Sequence, residues 1–185
     1  MGLGHEAVWG LIACGAAESF TVLRSLPDAI DASGALHALT FTPSPPDATG
    51  RSQRMTLAEW DAWIATHGDE TREEWAVRAL TTPERAWDDM GAMDYLRRAN
   101  DPRALPAARR LASNTWYETR IAAARTVAAF DRAEGIALLR RELLNRHPDA
   151  VRKAIDALNA VTGRNLQFDV TVPSERQRAL EAYTP

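Results

Sequence analysis

The sequence predicts an all-α protein built as a solenoid of stacked antiparallel helix pairs. Three observations carry this. Apolar residues recur three positions apart along most of the chain, the same short pattern returns at fixed offsets, and prolines followed by acidic residues mark helix starts. No single pair can bury its apolar stripes alone, so neighbouring pairs must stack, as a right-handed solenoid or a compact arc of one.

The elements follow in order. A first helix at about 5–14 carries Val8, Leu11 and Cys14 on one stripe. Pairs follow at 17–26 with 28–40, 71–81 with 83–98, 102–113 with 117–130, and 133–145 with 148–162. Leu36 and Leu39 continue the stripe, then Met90, Met93 and Leu96, then Ala124, Val127 and Phe130, then Ile155, Leu158 and Val161. DPRALPAARRL aligns with AEGIALLRREL so that Leu105 meets Ile136, and Arg109 and Arg110 meet Arg140 and Arg141, an offset of 31. AAESFTVLRSL places Phe20 on Ile136 and Leu23 on Leu139, an offset of 116. PDAIDASGALHALT at 27–40 and PDAVRKAIDALNAVT at 148–162 read as two copies of one unit. Pro27–Asp28, Pro83–Glu84 and Pro148–Asp149 suit helix starts, where proline loses no hydrogen bond and an early acid meets the positive end of the dipole. By the same logic Pro102 starts a helix and Pro106 falls within its first turn.

The pattern breaks at FTPSPPDATGRSQR, residues 41–54, followed by a helix from Thr56. Capping boxes are expected at Thr56–Glu59, Thr71–Glu74 and Ser174–Gln177. The tail repeats the interruption, because GRNLQFDVTVP leads to a helix from Ser174. One domain, 1–185, is therefore expected, with repeats at 5–40 and 71–162, an insertion at 41–70 and a C-terminal cap at 163–185 that braces the array.

DPRALPAARRLA followed by YETRIAAARTVAAF resembles a HEAT-like repeat, whose first helix is written DPRALPxLxxLL and whose second is written EVRxxAAxAL. The resemblance covers 5–40 and 71–162. It implies the solenoid fold and says little about activity, since such repeats serve many tasks. In HEAT-like arrays the second helices line the concave, partner-binding face. Opposite their apolar stripes, helical geometry puts Glu84, Asp88, Tyr95, Glu118, Arg125, Asp149, Lys153 and Asp156. These are the expected partner-binding residues, a mixed and mostly acidic strip suited to a protein or peptide partner carrying basic groups.

Composition agrees with a binding role. Residues 1–100 hold 8 arginines against 15 acidic groups, residues 101–164 hold 12 basic against 7 acidic, and the whole chain is −3, so nothing draws it as a whole toward nucleic acid or anionic membrane. A single cysteine, Cys14, has no internal disulfide partner. AVWGLIACG at 7–15 ends like a bacterial lipoprotein signal in LIAC at 11–14, but no basic residue precedes it and the run is too short to span a bilayer. A cytoplasmic bacterial protein with no membrane span is the expectation, and lipidation the alternative. The first helix corresponds to a second helix without its partner, which predicts self-association there if Val8 and Leu11 face solvent.

His5–Glu6 is similar to one iron-binding pair of HEAT-like deoxyhypusine hydroxylases, but the matching slots hold Ile121 and Ala122, and a metal needs three or four converging ligands. His37, His67 and His147 share no ligand spacing, and capping explains His147, just before a helix-start proline. No phosphate loop, GxSxG or CxxC occurs. A non-enzymatic interaction module without a cofactor is expected. The alternative that the resemblance offers is an alkylpurine DNA glycosylase or a bilin lyase, the former using Trp116 and a basic groove from Arg109, Arg110, Arg120, Arg125, Arg140, Arg141 and Arg152. Trp60, Trp63, Trp75, Trp87 and Trp116 are expected to seal joints between helices.

Overall fold

The computed structural model describes Ser19, Val22, Leu23 and residues 32–42, 55–81 and 86–183, with the backbone alone at 32–34, 57 and 86–89. The helix expected at 5–14, with Cys14, Val8 and Leu11, lies outside the described residues, as do Glu84 and the side chains of Asp88 and Trp87. Everything regular among the described residues is helical: α1 Ala32–Thr40, α2 Leu57–His67, α3 Arg72–Thr81, α4 Ala86–Arg98, a 3₁₀ turn Pro102–Ala104, α5 Leu105–Leu111, α6 Tyr117–Phe130, α7 Arg132–Glu142, α8 Pro148–Thr162 and α9 Pro173–Ala182. None of these helices is long and apolar enough to cross a membrane. The chain divides into two compact units, Met1–Ala92 and Met93–Pro185.

In the first unit α1 buries Leu36 and Leu39 completely and packs on α3. Both capping boxes form. The Thr56 hydroxyl accepts from the Glu59 N–H at 3.3 Å while Glu59 accepts from the Thr56 N–H at 2.7 Å, and Thr71 and Glu74 exchange the same two bonds at 3.3 and 2.6 Å. Between these helices runs an aromatic chain. His37 meets Trp60 edge-on at 4.8 Å, Trp60 meets Trp63 at 5.8 Å, and Trp63 meets Trp75 at 5.5 Å. Trp60 is fully buried, and the Trp75 indole N–H donates to the His67 carbonyl at 2.9 Å, so these tryptophans do seal a joint. Trp116, in the other unit, is 55% exposed.

In the second unit Pro102 and Pro106 both fall at a helix start, as expected. Pro102 opens a 3₁₀ turn capped by Asp101, whose carboxylate accepts from the Arg103 N–H at 2.9 Å, and Pro106 is the second residue of α5. Neither removes a helical hydrogen bond, because the first turn has none to give. α6 packs on α5, α7 and α8, and α7 packs on α8. Ile121, Ala124, Leu139, Leu143, Val151, Ile155 and Leu158 form one core, on which α9 closes through Ala179 and Tyr183. The Tyr183 hydroxyl reaches Asn159 Oδ1 at 2.7 Å, and the Asn159 amide ties down Leu166 through both its backbone N–H and C=O. α8 ends at Gly163, whose φ of 72° is the left-handed cap that favours glycine.

The turns inside successive helix pairs are the same turn made twice. Asn114 Oδ1 accepts from the Trp116 N–H at 2.9 Å, and Asn145 Oδ1 accepts from the His147 N–H at 3.0 Å, again 31 residues on. At the next step α7 crosses α6 so closely that a Cβ on Gly135 would fall 2.3 Å from Ala128 Cα. Two local expectations fail. Pro173, with its fixed φ and no N–H to satisfy, starts α9 one residue before Ser174, so Val172 becomes the N-cap and no Ser174–Gln177 box forms; Gln177 donates to Glu181 instead. His147 is the N-cap of α8 by position, but its side chain makes no cap bond and stacks on Tyr117 at 5.2 Å.

Candidate functional site

The site is a trough between α6 and α8. These helices run in the same direction, since Lys153 lies beside Glu118 at one end and Ala160 beside Arg125 further along. Their buried stripes turn inward, leaving Glu118, Ile121, Ala122 and Arg125 on one wall and Lys153, Asp156, Ala157 and Ala160 on the other, around about 440 Å³. A second hollow of about 260 Å³ continues past the shared Arg125 and Ala160 and is lined by Arg97, Ala128, Ala129, Arg132 and Val161. Alanines form much of the floor, so a backbone can approach closely.

Glu118, Arg125, Lys153 and Asp156 from the expected strip thus share one trough. Asp149 stands apart, ion-paired to Arg152 at 2.7 Å, and Tyr95 is half-buried outside either lining. Sequence reasoning missed Arg97 and Arg132, which come from the last turn of α4 and the first residue of α7 and so follow no stripe on α6 or α8. The strip expected to be mostly acidic is balanced over its trough residues, Glu118 and Asp156 against Arg125 and Lys153, and Arg97 and Arg132 make the far end basic. The arginines proposed for a duplex groove are dispersed: Arg109 pairs with Glu134 at 2.7 Å, Arg120 with Glu142 at 2.6 Å and Arg152 with Asp149, leaving only Arg125 in the trough.

The charged groups differ in how far they are committed. Lys153 Nζ lies 3.4 Å from Glu118 and 5.3 Å from the centre of the Tyr117 ring. Burial alone would raise the Glu118 carboxyl, but the Tyr117 hydroxyl, its own N–H and Lys153 together hold it below its ordinary value. The hydrogen bond to Glu118 and the desolvation of the ring push the Tyr117 phenol up to about 12. Arg97 is held by Asp94 at 2.5 Å, and Asp94 also takes Arg98 at 2.5 Å. Arg125, Arg132 and Asp156 make no hydrogen bond or ion pair with a described residue. Nothing in the trough pairs a nucleophile with a base, and among the described residues no three His, Cys, Asp or Glu side chains gather closely enough to hold a metal ion.

Tyr117 supplies a pH prediction. A phenol whose folded pKa is raised stabilises the fold below its unfolded value near 10 and loses that contribution as pH climbs toward 12. Ultraviolet titration of the native protein is expected to show a late phenol near pH 12 that disappears in Tyr117→Phe and moves down in Glu118→Gln. An unchanged titration curve in both variants contradicts the Tyr117–Glu118 bond.

Compared with known proteins, the chain matches no family model, no curated protein and no solved structure.

Proposed function

We propose that this protein is a HEAT-like repeat protein acting as a non-enzymatic protein-binding module, bacterial and cytoplasmic, that takes an extended segment of its partner into the α6–α8 trough. The observation that carries the reading is the trough itself: an alanine-floored channel edged by charges of both signs, on the helices that the repeat pattern marks as second helices. A preformed channel of this kind loses little freedom on binding. Asp156 suits a basic group on the partner, since Glu118 already holds Lys153.

The test uses Ala160→Trp. Ala160 is exposed and lines both hollows, so an indole there fills the trough without disturbing the core. Partners are captured from nuclease-treated lysate of the source organism, identified and purified. Binding of the purified partner is expected to weaken at least tenfold in the variant. Equal binding by both forms, or recovery of nucleic acid alone before nuclease treatment, overturns the reading and favours the glycosylase alternative.

A further inference from the structure

We infer that the trough is read by charge along its length: its occupant is an extended peptide segment with a cationic side chain at Asp156 and a carboxylate, two or three residues away, at Arg125 and Arg132. This rests on the proposed binding role and adds the chemistry and spacing of the ligand.

The argument starts from uncommitted charge. Glu118 and Lys153 largely satisfy each other, and Arg97 is held by Asp94. Asp156 and Arg132 hold exposed charges with no hydrogen bond or ion pair to a described residue, and exposed Arg125 feels the Asp94 carboxylate only through space, Asp94 being bonded to Arg97 and Arg98. A ligand that supplies the missing counterions gains charge-assisted hydrogen bonds without first breaking any, and each guanidinium presents the planar fork that a carboxylate matches.

Spacing follows from helix geometry. The Lys153–Glu118 pair sets α8 against α6 with an offset of 35, which puts Asp156 level with Ile121. Arg125 lies roughly 6 Å beyond Ile121 along α6 at 1.5 Å per residue, and Arg132 shares its hollow with Ala128 and Ala129, roughly 11 Å along, so the basic station spans roughly 6–11 Å from the acidic one. An extended chain covers that in about two to three residues, at about 3.3 Å each. The trough from Glu118 to Ala129 is roughly 16 Å long and holds about five. Ala122, Ala157 and Ala160 between the stations leave room for backbone, so side-chain identity there matters little and the two end charges dominate recognition.

The experiment pans a random heptapeptide library displayed on phage against the full chain, then measures selected peptides by fluorescence anisotropy. Enrichment of Lys or Arg two or three positions from Asp or Glu is expected. Binding is expected to fall at least tenfold in Arg125→Ala/Arg132→Ala. In Arg125→Glu/Arg132→Glu the selected acidic residue is expected to become basic while the other end keeps its preference. Peptides that are lost with Ala160→Trp yet show no charge pair, or that ignore both arginine variants, overturn this inference and leave the binding role standing. No enriched peptide, or binding indifferent to Ala160→Trp, overturns both.

Discussion

Glu142→Ala is expected to lower the stability of the protein by about 3 kcal/mol, the loss typical of removing one partner from a buried ion pair. Glu142 is 7% exposed and accepts a two-pronged salt bridge from Arg120, at 2.6 Å from Nε and 2.8 Å from Nη2. Arg120 also donates to the carbonyls of Asn114 and Thr115 at 2.9 Å, and the Asn145 amide donates to Glu142 at 3.0 Å. One ion pair therefore ties α6 to α7 and stitches both asparagine turns. Glu142→Ala strands the guanidinium among groups that cannot compensate it. For a chain of this size the loss corresponds to a fall in melting temperature of roughly 6–12 °C. The double variant Arg120→Met/Glu142→Leu is expected to recover most of the loss, since the desolvation of both ions vanishes with their attraction. Urea titration followed by circular dichroism decides the matter: a Glu142→Ala loss below about 1 kcal/mol means that the pair is a surface bridge of ordinary weakness.

Gly135→Ala is expected to destabilise by about 2 kcal/mol or more, although alanine is the better helix former by about 1 kcal/mol. The added methyl falls 2.3 Å from Ala128 Cα and 2.4 Å from its nitrogen, so the obstacle is backbone and α7 must shift away from α6. This distinguishes the site from a side-chain clash. Adding Ala128→Gly removes one methyl and leaves the backbone atoms, so rescue is expected to be partial. Full rescue in the same urea titrations means that the helices can separate freely and the close crossing does not matter.

Much of this was legible in the sequence, and the reasons differ by residue. Local rules worked where one segment decides the outcome: Thr56 and Thr71 cap their helices as expected, and helix periodicity puts Glu118, Arg125, Lys153 and Asp156 on one side, where the trough forms. They failed where a neighbour decides. Ser174 lost its cap to an adjacent proline, and His147 found an aromatic ring 30 residues away in Tyr117. Arg97 and Arg132 enter the trough from helix ends whose direction no periodicity encodes, and Arg120 meets Glu142 only because two helices pack. Gly135 was silent because glycine inside a helix reads as a weakness until the approach of α6 is seen.

The repetition of the asparagine turn has a kinetic side. In the second unit each helix makes its main contacts with helices close by in sequence: α6 with α5, α7 and α8, and α7 with α8. No distant strand has to be found, and the loops from α5 to α8 run from one to five residues, so chain entropy is surrendered in small instalments as one helix settles on the last. A unit assembled this way belongs with the rapid, local-contact folders that complete in microseconds to milliseconds, and it exposes its apolar stripes to other chains only briefly on the way.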